Sequence, residues 1–321
     1  MKSIAIFRAL QLGDFLCAIP AIRSLRQAYP NAHIAWIGLP GTQHLQHRFA
    51  NYIDEFIPFP GYPGLPEQPI EPKKILAFLQ DMQRRKFDLV IQMQGNGTYV
   101  NALVSLFDAN KLAGFFKDSL FRPNNEHFVP YPEHLHEIER HLYLMHHLGI
   151  PDAGKQLEFP LLKDDRHICE KFHLTPGNFV CIHPGSRGES RRWNPKYFAQ
   201  IANRCLEAGY DVAITGTKEE ETIANELSAH MNRPPLFLVG QTDLDEIALL
   251  LKQARGLLSN CTGVAHIAYA LQVPAVVVSM DGEPHRWGPL TPTRQQIIDC
   301  QRKPNVEKVL QHFNNTVLCN I

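Results

Sequence analysis

The chain has 321 residues, 44% of them apolar, enough for two domains of ordinary size that each bury a core. Lys+Arg and Asp+Glu both number 32, which excludes the strongly basic footprint of a nucleic-acid-binding protein. The opening Met1-Lys-Ser-Ile-Ala-Ile-Phe-Arg8 meets charge too early for a signal peptide, and no apolar run approaches the ~20 residues of a membrane span, so a cytoplasmic location is expected.

In chain order, residues 3–7 read as a buried strand and 8–12 as a loop. Gly13-Asp14 opens a helix that runs to 28, with Leu16, Ile19, Ile22 and Leu25 on one face. Asp14 therefore stands at the carboxyl end of a strand, the edge at which open α/β sheets bind ligands. Position alone favours a helix N-cap, the commoner role of Asp there, over a general base. Strands over 33–38, 55–59, 88–93 and 111–115 alternate with helices over 72–85, 99–107 and 134–148, a doubly wound α/β pattern. The Pro- and Gly-rich stretch 58–72 reads as a long irregular loop that could face an acceptor. The helix over 134–148 carries His134, His136, His141, His146 and His147, with Ile138, Leu142, Met145 and Leu148 on its apolar face. His136 and His141 are five apart rather than the four of His-Glu-x-x-His, which favours a solvated helix face over a metal site. Asp164-Asp165 lacks the Asp-x-Asp spacing of metal-dependent sugar transferases and reads as linker, with a domain boundary inside 151–176.

A second strand series follows at 179–183, 211–215, 236–239, 256–259 and 275–279, with helices between and a last helix over 306–313. The loop Pro184-Gly-Ser-Arg-Gly-Glu-Ser-Arg-Arg192 suits an anion: Gly185 and Gly188 permit close backbone approach, Ser186 offers a hydroxyl, and Arg187, Arg191 and Arg192 offer fixed charge. It has neither the Gly-Lys-Ser/Thr ending of a P-loop nor Gly-x-Gly-x-x-Gly, and at least one arginine is expected simply to be solvated. Trp193-Asn-Pro195 then opens a helix to about 208. The stretch from Ser259 to Ala268 reads either as a turn whose amides open a helix toward an anion or as an ordinary connection capped by Thr262. Seven cysteines, at 17, 169, 181, 205, 261, 300 and 319, form no Cys-x-x-Cys or zinc spacing, and most should be buried thiols of a reducing compartment. Cys261, beside a helix start, is the one expected to be reactive.

Several pieces follow one another along the chain: Arg8-Ala-Leu-Gln-Leu-Gly-Asp14 with Pro20-Ala-Ile-Arg-Ser-Leu-Arg26, Lys86-Phe-Asp-Leu-Val-Ile91, and His183-Pro-Gly-Ser186 with Arg191-Arg-Trp193. Gly216 with Glu220, Thr262-Gly263 with His266, and Trp287-Gly-Pro289 complete the set. Together they resemble glycosyltransferase family 9, the ADP-heptose:lipopolysaccharide heptosyltransferases, over nearly the whole chain. The resemblance implies a GT-B fold of two facing Rossmann-like domains with parallel sheets. Residues 1–160 would be the acceptor side and 161–321 the nucleotide-sugar side, with the C-terminal helix crossing back to the first domain. It implies inverting, metal-independent transfer of heptose from ADP-heptose to a lipopolysaccharide inner-core precursor, with no cofactor and with peripheral contact at the inner membrane. On that basis Asp14 is the candidate base, and Ser186, Arg187 and Arg191 hold the diphosphate. Glu220 would meet the ribose, although with Glu219 and Glu221 beside it the same residue also reads as an acidic first helical turn. Thr242, Cys261, Thr262, Gly263 and His266 would complete the donor site, with Arg8 and Gln11 on the acceptor side. One position departs from the family pattern, which has Asp-Thr-Gly where this chain has Cys261-Thr262-Gly263. A thiol is a weak hydrogen-bonding group, so alternatives stay open: another sugar nucleotide on the same fold, a sugar-nucleotide epimerase, or an inactive nucleotide-sugar-binding homologue.

Overall fold

The short apolar runs become the strands of two parallel sheets. Residues such as Ile4, Ala5, Ile6 and Phe7 or Val276, Val277 and Val278 are buried regardless of which face they point to, as expected when helices cover both sides. The computed structural model describes residues 1–118, 120–163, 167–291 and 294–319, so the expected linker at Asp164-Asp165 lies outside the described residues. Contacts divide the chain into Met1–Leu157 and Glu158–Ile321.

The first unit runs β1 (Ser3–Phe7), α1 (Leu12–Ala28), β2 (His33–Gly38), α2 (His44–Arg48), β3 (Glu55–Pro58), α3 (Pro72–Arg85), β4 (Leu89–Gln92), α4 (Val100–Ser105), β5 (Leu112–Phe116), β6 (Phe128–Pro130) and α5 (Glu137–His147). Its sheet order is β3-β2-β1-β4-β5-β6. Edge-on aromatic contacts, Phe7 with Phe59 at 5.1 Å and Phe78 with Phe107 at 5.6 Å, fill one side of it.

The second unit runs α6 (Ile168–Lys171), β7 (Phe179–His183), α7 (Pro195–Glu207), β8 (Asp211–Ile214), α8 (Glu221–Ala229), β9 (Leu236–Phe237), α9 (Leu244–Gln253), β10 (Gly256–Asn260), α10 (Gly263–Ala270), β11 (Ala275–Ser279), α11 (Pro284–Trp287), β12 (Gln295–Asp299) and α12 (Val306–Phe313). Its order is β12-β11-β10-β7-β8-β9. Counted from the first strand of each unit, the two orders are the same, and each reverses direction between its first and fourth strands. These switch points, β1/β4 and β7/β10, leave a crevice at the carboxyl ends of the strands, where open α/β sheets take ligands.

Helix starts are written locally. Pro72 and Pro195 occupy first helical positions, Asn194 accepts the Lys196 N–H, and Asp243 with Glu246 forms a capping box. The edge strands β6 and β12 were not anticipated, since one is three residues long and the other begins Gln-Gln. The segment from 59 to 71 has no strand or helix beyond an isolated Tyr62–Leu65 bridge. The final helix, expected to return to the first domain, buries Val309 and Phe313 with Val276, Val278 and Ile298 in the core of the second unit. Among the described residues no helix is long and apolar enough to cross a membrane.

Candidate functional site

In the second unit, β7 delivers Pro184, Gly185 and Ser186 to the switch point and β10 delivers Cys261, Thr262 and Gly263 beside them. Fully buried Asn260 locks the two together. Its Nδ2 donates to the Pro184 carbonyl at 2.6 Å, and its Oδ1 accepts the Trp193 N–H at 2.9 Å, so both ends of the arginine loop are tied to β10. Arg192 Nε donates to the Ser186 carbonyl at 2.9 Å, while Arg187 is exposed. Arg191 reaches across the crevice: its Nη2 is 2.9 Å from Asp281 Oδ2 and 3.4 Å from the Cys261 carbonyl. Ser186 is buried and α10 opens at Gly263, so a hydroxyl, guanidinium groups and the first amides of a helix share one sheet edge. Such a set binds phosphate oxygens, because the first turn of a helix leaves its N–H groups without internal partners.

Thr262 is the N-cap of α10 by position, yet its hydroxyl makes no capping bond, and Oγ1 is buried without a hydrogen-bond partner among the described residues. The capping reading of Thr262 is therefore corrected at the side chain. Cys261 is buried, its N–H donating to the Val278 carbonyl at 2.9 Å, so the thiol expected to be reactive is shielded from solvent. His266 is also buried, edge-on to Trp287 at 6.1 Å and to Tyr269 at 5.8 Å.

Glu220 follows β8 on a short 3-10 turn. Its Oε2 accepts the Thr217 N–H at 2.8 Å in a capping box and lies 3.6 Å from His183 Nε2. Its Oε1 lies against Gly185, where a Cβ would sit only 2.0 Å from that oxygen. A side chain at 185 would force the Glu220 carboxylate to shift from this position. Burial holds the His183 imidazole below its ordinary pKa, against the opposite pull of Glu220. Thr242 is half-buried just ahead of the α9 cap.

In the first unit, α1 begins at Leu12 with Gln11 as its N-cap. Asp14 is thus the third helical residue and not the cap that its position favoured. Arg8, expected in a loop open to an acceptor, is fully buried. Its Nε donates to the Asp14 carbonyl at 2.7 Å, Nη1 donates to the Met93 carbonyl across the β1/β4 switch point, and Nη2 donates to Glu137 Oε1 at 3.1 Å. The half-buried Asp14 carboxylate stands 4.0 Å from the same Nη2. Gln11 is exposed.

On the histidine helix His134, His146 and His147 are exposed as expected, but His136 and His141 need a correction: with Glu137 and Arg140 they are buried, because α5 packs on α1 and a buried Arg8 requires a carboxylate. Glu137 Oε2 accepts from Arg140 Nη1 at 3.0 Å, and His141 Nε2 lies 3.4 Å from Glu137 Oε1. Burial and the nearby Arg8 push the His141 pKa from 6.5 down to about 4, keeping the ring neutral at pH 7 although Glu137 pulls the other way. Sequence reasoning also missed Asn260 and Asp281. Both stand at or just beyond a strand's carboxyl end, which was the one signal available for them.

The sequence profile of glycosyltransferase family 9 (heptosyltransferase) matches residues 75–315. The chain belongs to glycosyltransferase family 9. It is 22% identical over 296 residues to the lipopolysaccharide core heptosyltransferase OpsX of Haemophilus influenzae, covering 90% of this chain and 82% of that one. Among solved structures it resembles a glycosyl transferase family 9 protein from Veillonella parvula, with a TM-score of 0.80, 18% identity, and 99% and 97% of the two chains covered. It also resembles the E. coli ADP-heptose lps heptosyltransferase II, with a TM-score of 0.75, 20% identity and 99% of each chain covered. The family 9 chain is therefore a glycosyltransferase of the heptosyltransferase family of lipopolysaccharide core biosynthesis, with the α/β GT-B fold of those structures.

Proposed function

We propose that this family 9 chain moves heptose from ADP-heptose to a lipopolysaccharide inner-core acceptor, inverting the anomeric centre and using no metal ion. The observation that carries the reading is the grouping of Ser186, Arg191 and the α10 amides at the switch point of the second sheet. That group would take up the charge that grows on a departing ADP, the role a divalent cation fills in other transferases. The similar E. coli protein is named for ADP-heptose and lipopolysaccharide, which supports the donor and the acceptor class. Asp14 would accept the proton of the acceptor hydroxyl as its oxygen attacks the anomeric carbon and the bond from that carbon to the diphosphate oxygen breaks. A single displacement of this kind inverts the centre. Glu220 would meet the ribose through the oxygen facing Gly185, and Arg187 would add charge from the loop. The reaction would take place at the cytoplasmic face, with peripheral membrane contact at the acceptor's lipid.

Cys261 favours a second reading, a different sugar nucleotide on the same fold, because a buried thiol offers sugar hydroxyls little. One experiment separates the two. Purified protein is given a heptose-deficient core acceptor with ADP-heptose or other nucleotide sugars, in EDTA, and the anomeric configuration of the product is read by NMR. Inverted heptose product in EDTA is expected. Turnover confined to another donor would replace the sugar, and activity lost to EDTA but restored by Mg²⁺ or Mn²⁺ would end the metal-independent scheme.

A further inference from the structure

Arg191 and Asp281 are 90 positions apart in sequence and meet at 2.9 Å, one on the loop after β7 and the other just past the end of β11. The carboxylate is held from three sides. Oδ1 accepts the hydroxyl of fully buried Ser279 at 2.7 Å and the Glu283 N–H at 3.2 Å, while Oδ2 accepts Arg191. Three donors leave a carboxylate little freedom to turn, since it offers about four lone-pair sites. Burial raises the Asp281 pKa, but these hydrogen bonds and the guanidinium outweigh it and leave it below its ordinary value, so the group is ionised at neutral pH. The same Arg191 Nη2 lies 3.4 Å from the Cys261 carbonyl, a main-chain contact indifferent to which side chain stands at 261. One guanidinium thus ties together the ends of β7, β10 and β11, while its Nη1 and Nε are spent on neither contact. An arginine on an exposed loop would otherwise lose rotamer freedom each time a ligand fixed it.

We propose that Asp281 is a positioning residue that pre-sets Arg191 across the Cys261–Gly263 turn, leaving its remaining donors directed at the donor diphosphate. This rests on the reading of the second unit as the nucleotide-sugar site. It makes a prediction opposite in sign to simple electrostatics. A carboxylate near a diphosphate repels it, so charge alone would make ADP bind more tightly when Asp281 is neutralised. Positioning requires weaker binding.

The test is calorimetric titration of ADP, at one fixed ionic strength, into the intact protein and its Asp281→Asn, Arg191→Gln, Ser279→Ala and double Arg191→Gln/Asp281→Asn variants. Arg191→Gln should weaken ADP by about 10-fold or more, the scale of a lost charge-assisted contact. Asp281→Asn should weaken it by roughly 3- to 10-fold, and the double variant should be no weaker than Arg191→Gln, because Asp281 acts only through that arginine. Ser279→Ala keeps every charge and frees the carboxylate, so a smaller loss of the same sign there ties the effect to orientation, even if Asp281→Asn folds poorly. Equal or tighter ADP binding in Asp281→Asn and Ser279→Ala, or additive losses in the double variant, overturns the proposal. If Arg191→Gln itself leaves ADP binding unchanged, the diphosphate reading of the loop fails and the proposal falls with it. Failure confined to Asp281 shows instead as a weakened Arg191→Gln beside an unaffected Asp281→Asn.

Discussion

Asp14 sits in the first turn of α1, 4.0 Å from a guanidinium that is entirely buried, at the carboxyl end of β1. Its amide isostere keeps shape and leaves the second unit untouched. Asp14→Asn should therefore lower turnover by ~10²-fold or more with donor affinity unchanged, measured by steady-state kinetics and titration. Near-normal turnover would remove Asp14 from the mechanism. Cys261 offers a test of the donor. In Cys261→Asp the new carboxylate would be buried, and Arg191, already 3.4 Å from the main-chain oxygen at 261, is the nearby cation. If heptose is the sugar, ADP-heptose affinity should hold or rise while ADP is unchanged. Weaker ADP-heptose binding with ADP unaffected would reflect an unpartnered, desolvated charge and count against that sugar.

At the scale of elements, the loop after β7 meets the turn after β8 without leaving room for a side chain at 185. Gly185→Ala would drive a Cβ into the Glu220 carboxylate, which could yield only by giving up the Thr217 N–H and its place beside His183. A stability loss of about 1–2 kcal/mol is expected, the scale of a lost cap. It should vanish when Glu220→Ala is made first, because the obstacle is then gone; chemical denaturation of the two singles and the double decides it. A penalty that persists in the Glu220→Ala background would mean that the clash lies elsewhere. The strands at 3–7, 33–38, 179–183 and 275–279 and the helix over 72–85 were legible to the residue, since each is a local run bounded by Pro, Gly or a polar cap. β6 and β12 were not, because β6 is only three residues long and β12 opens on Gln295-Gln296, so neither shows the apolar run that marks the other strands.

Across the whole molecule, stability should carry an acid dependence set by buried imidazoles. His141 titrates at about 4 in the folded state against 6.5 in the unfolded chain, so between those values the unfolded state binds more protons. Its contribution is complete above pH 6.5 and is lost as pH falls toward 4, by on the order of 3 kcal/mol. Buried His183, also lowered, adds in the same direction. Melting temperatures followed from pH 7 to 4 should fall, and His141→Gln, which does not titrate, should show the shallower slope. Parallel slopes in the two proteins would place the acid sensitivity elsewhere.

The sequence by itself determined the alternation of strand and helix, the family, and the two polar loops that carry Asp14 and the arginines, because each depends on neighbours within a few residues. Only the tertiary structure decided which side chains those loops spend on each other. The histidine helix read as solvated from its local pattern, but the buried Arg8 guanidinium draws in the Glu137 carboxylate that balances its charge, and Arg140 and His141 are buried beside that carboxylate; Arg8 lies 129 positions away in sequence. Asn260 and Asp281 were equally silent in sequence. Their importance lies in distant partners, the Pro184 carbonyl and the Arg191 guanidinium, which approach them only when six parallel strands bring their carboxyl ends to one edge.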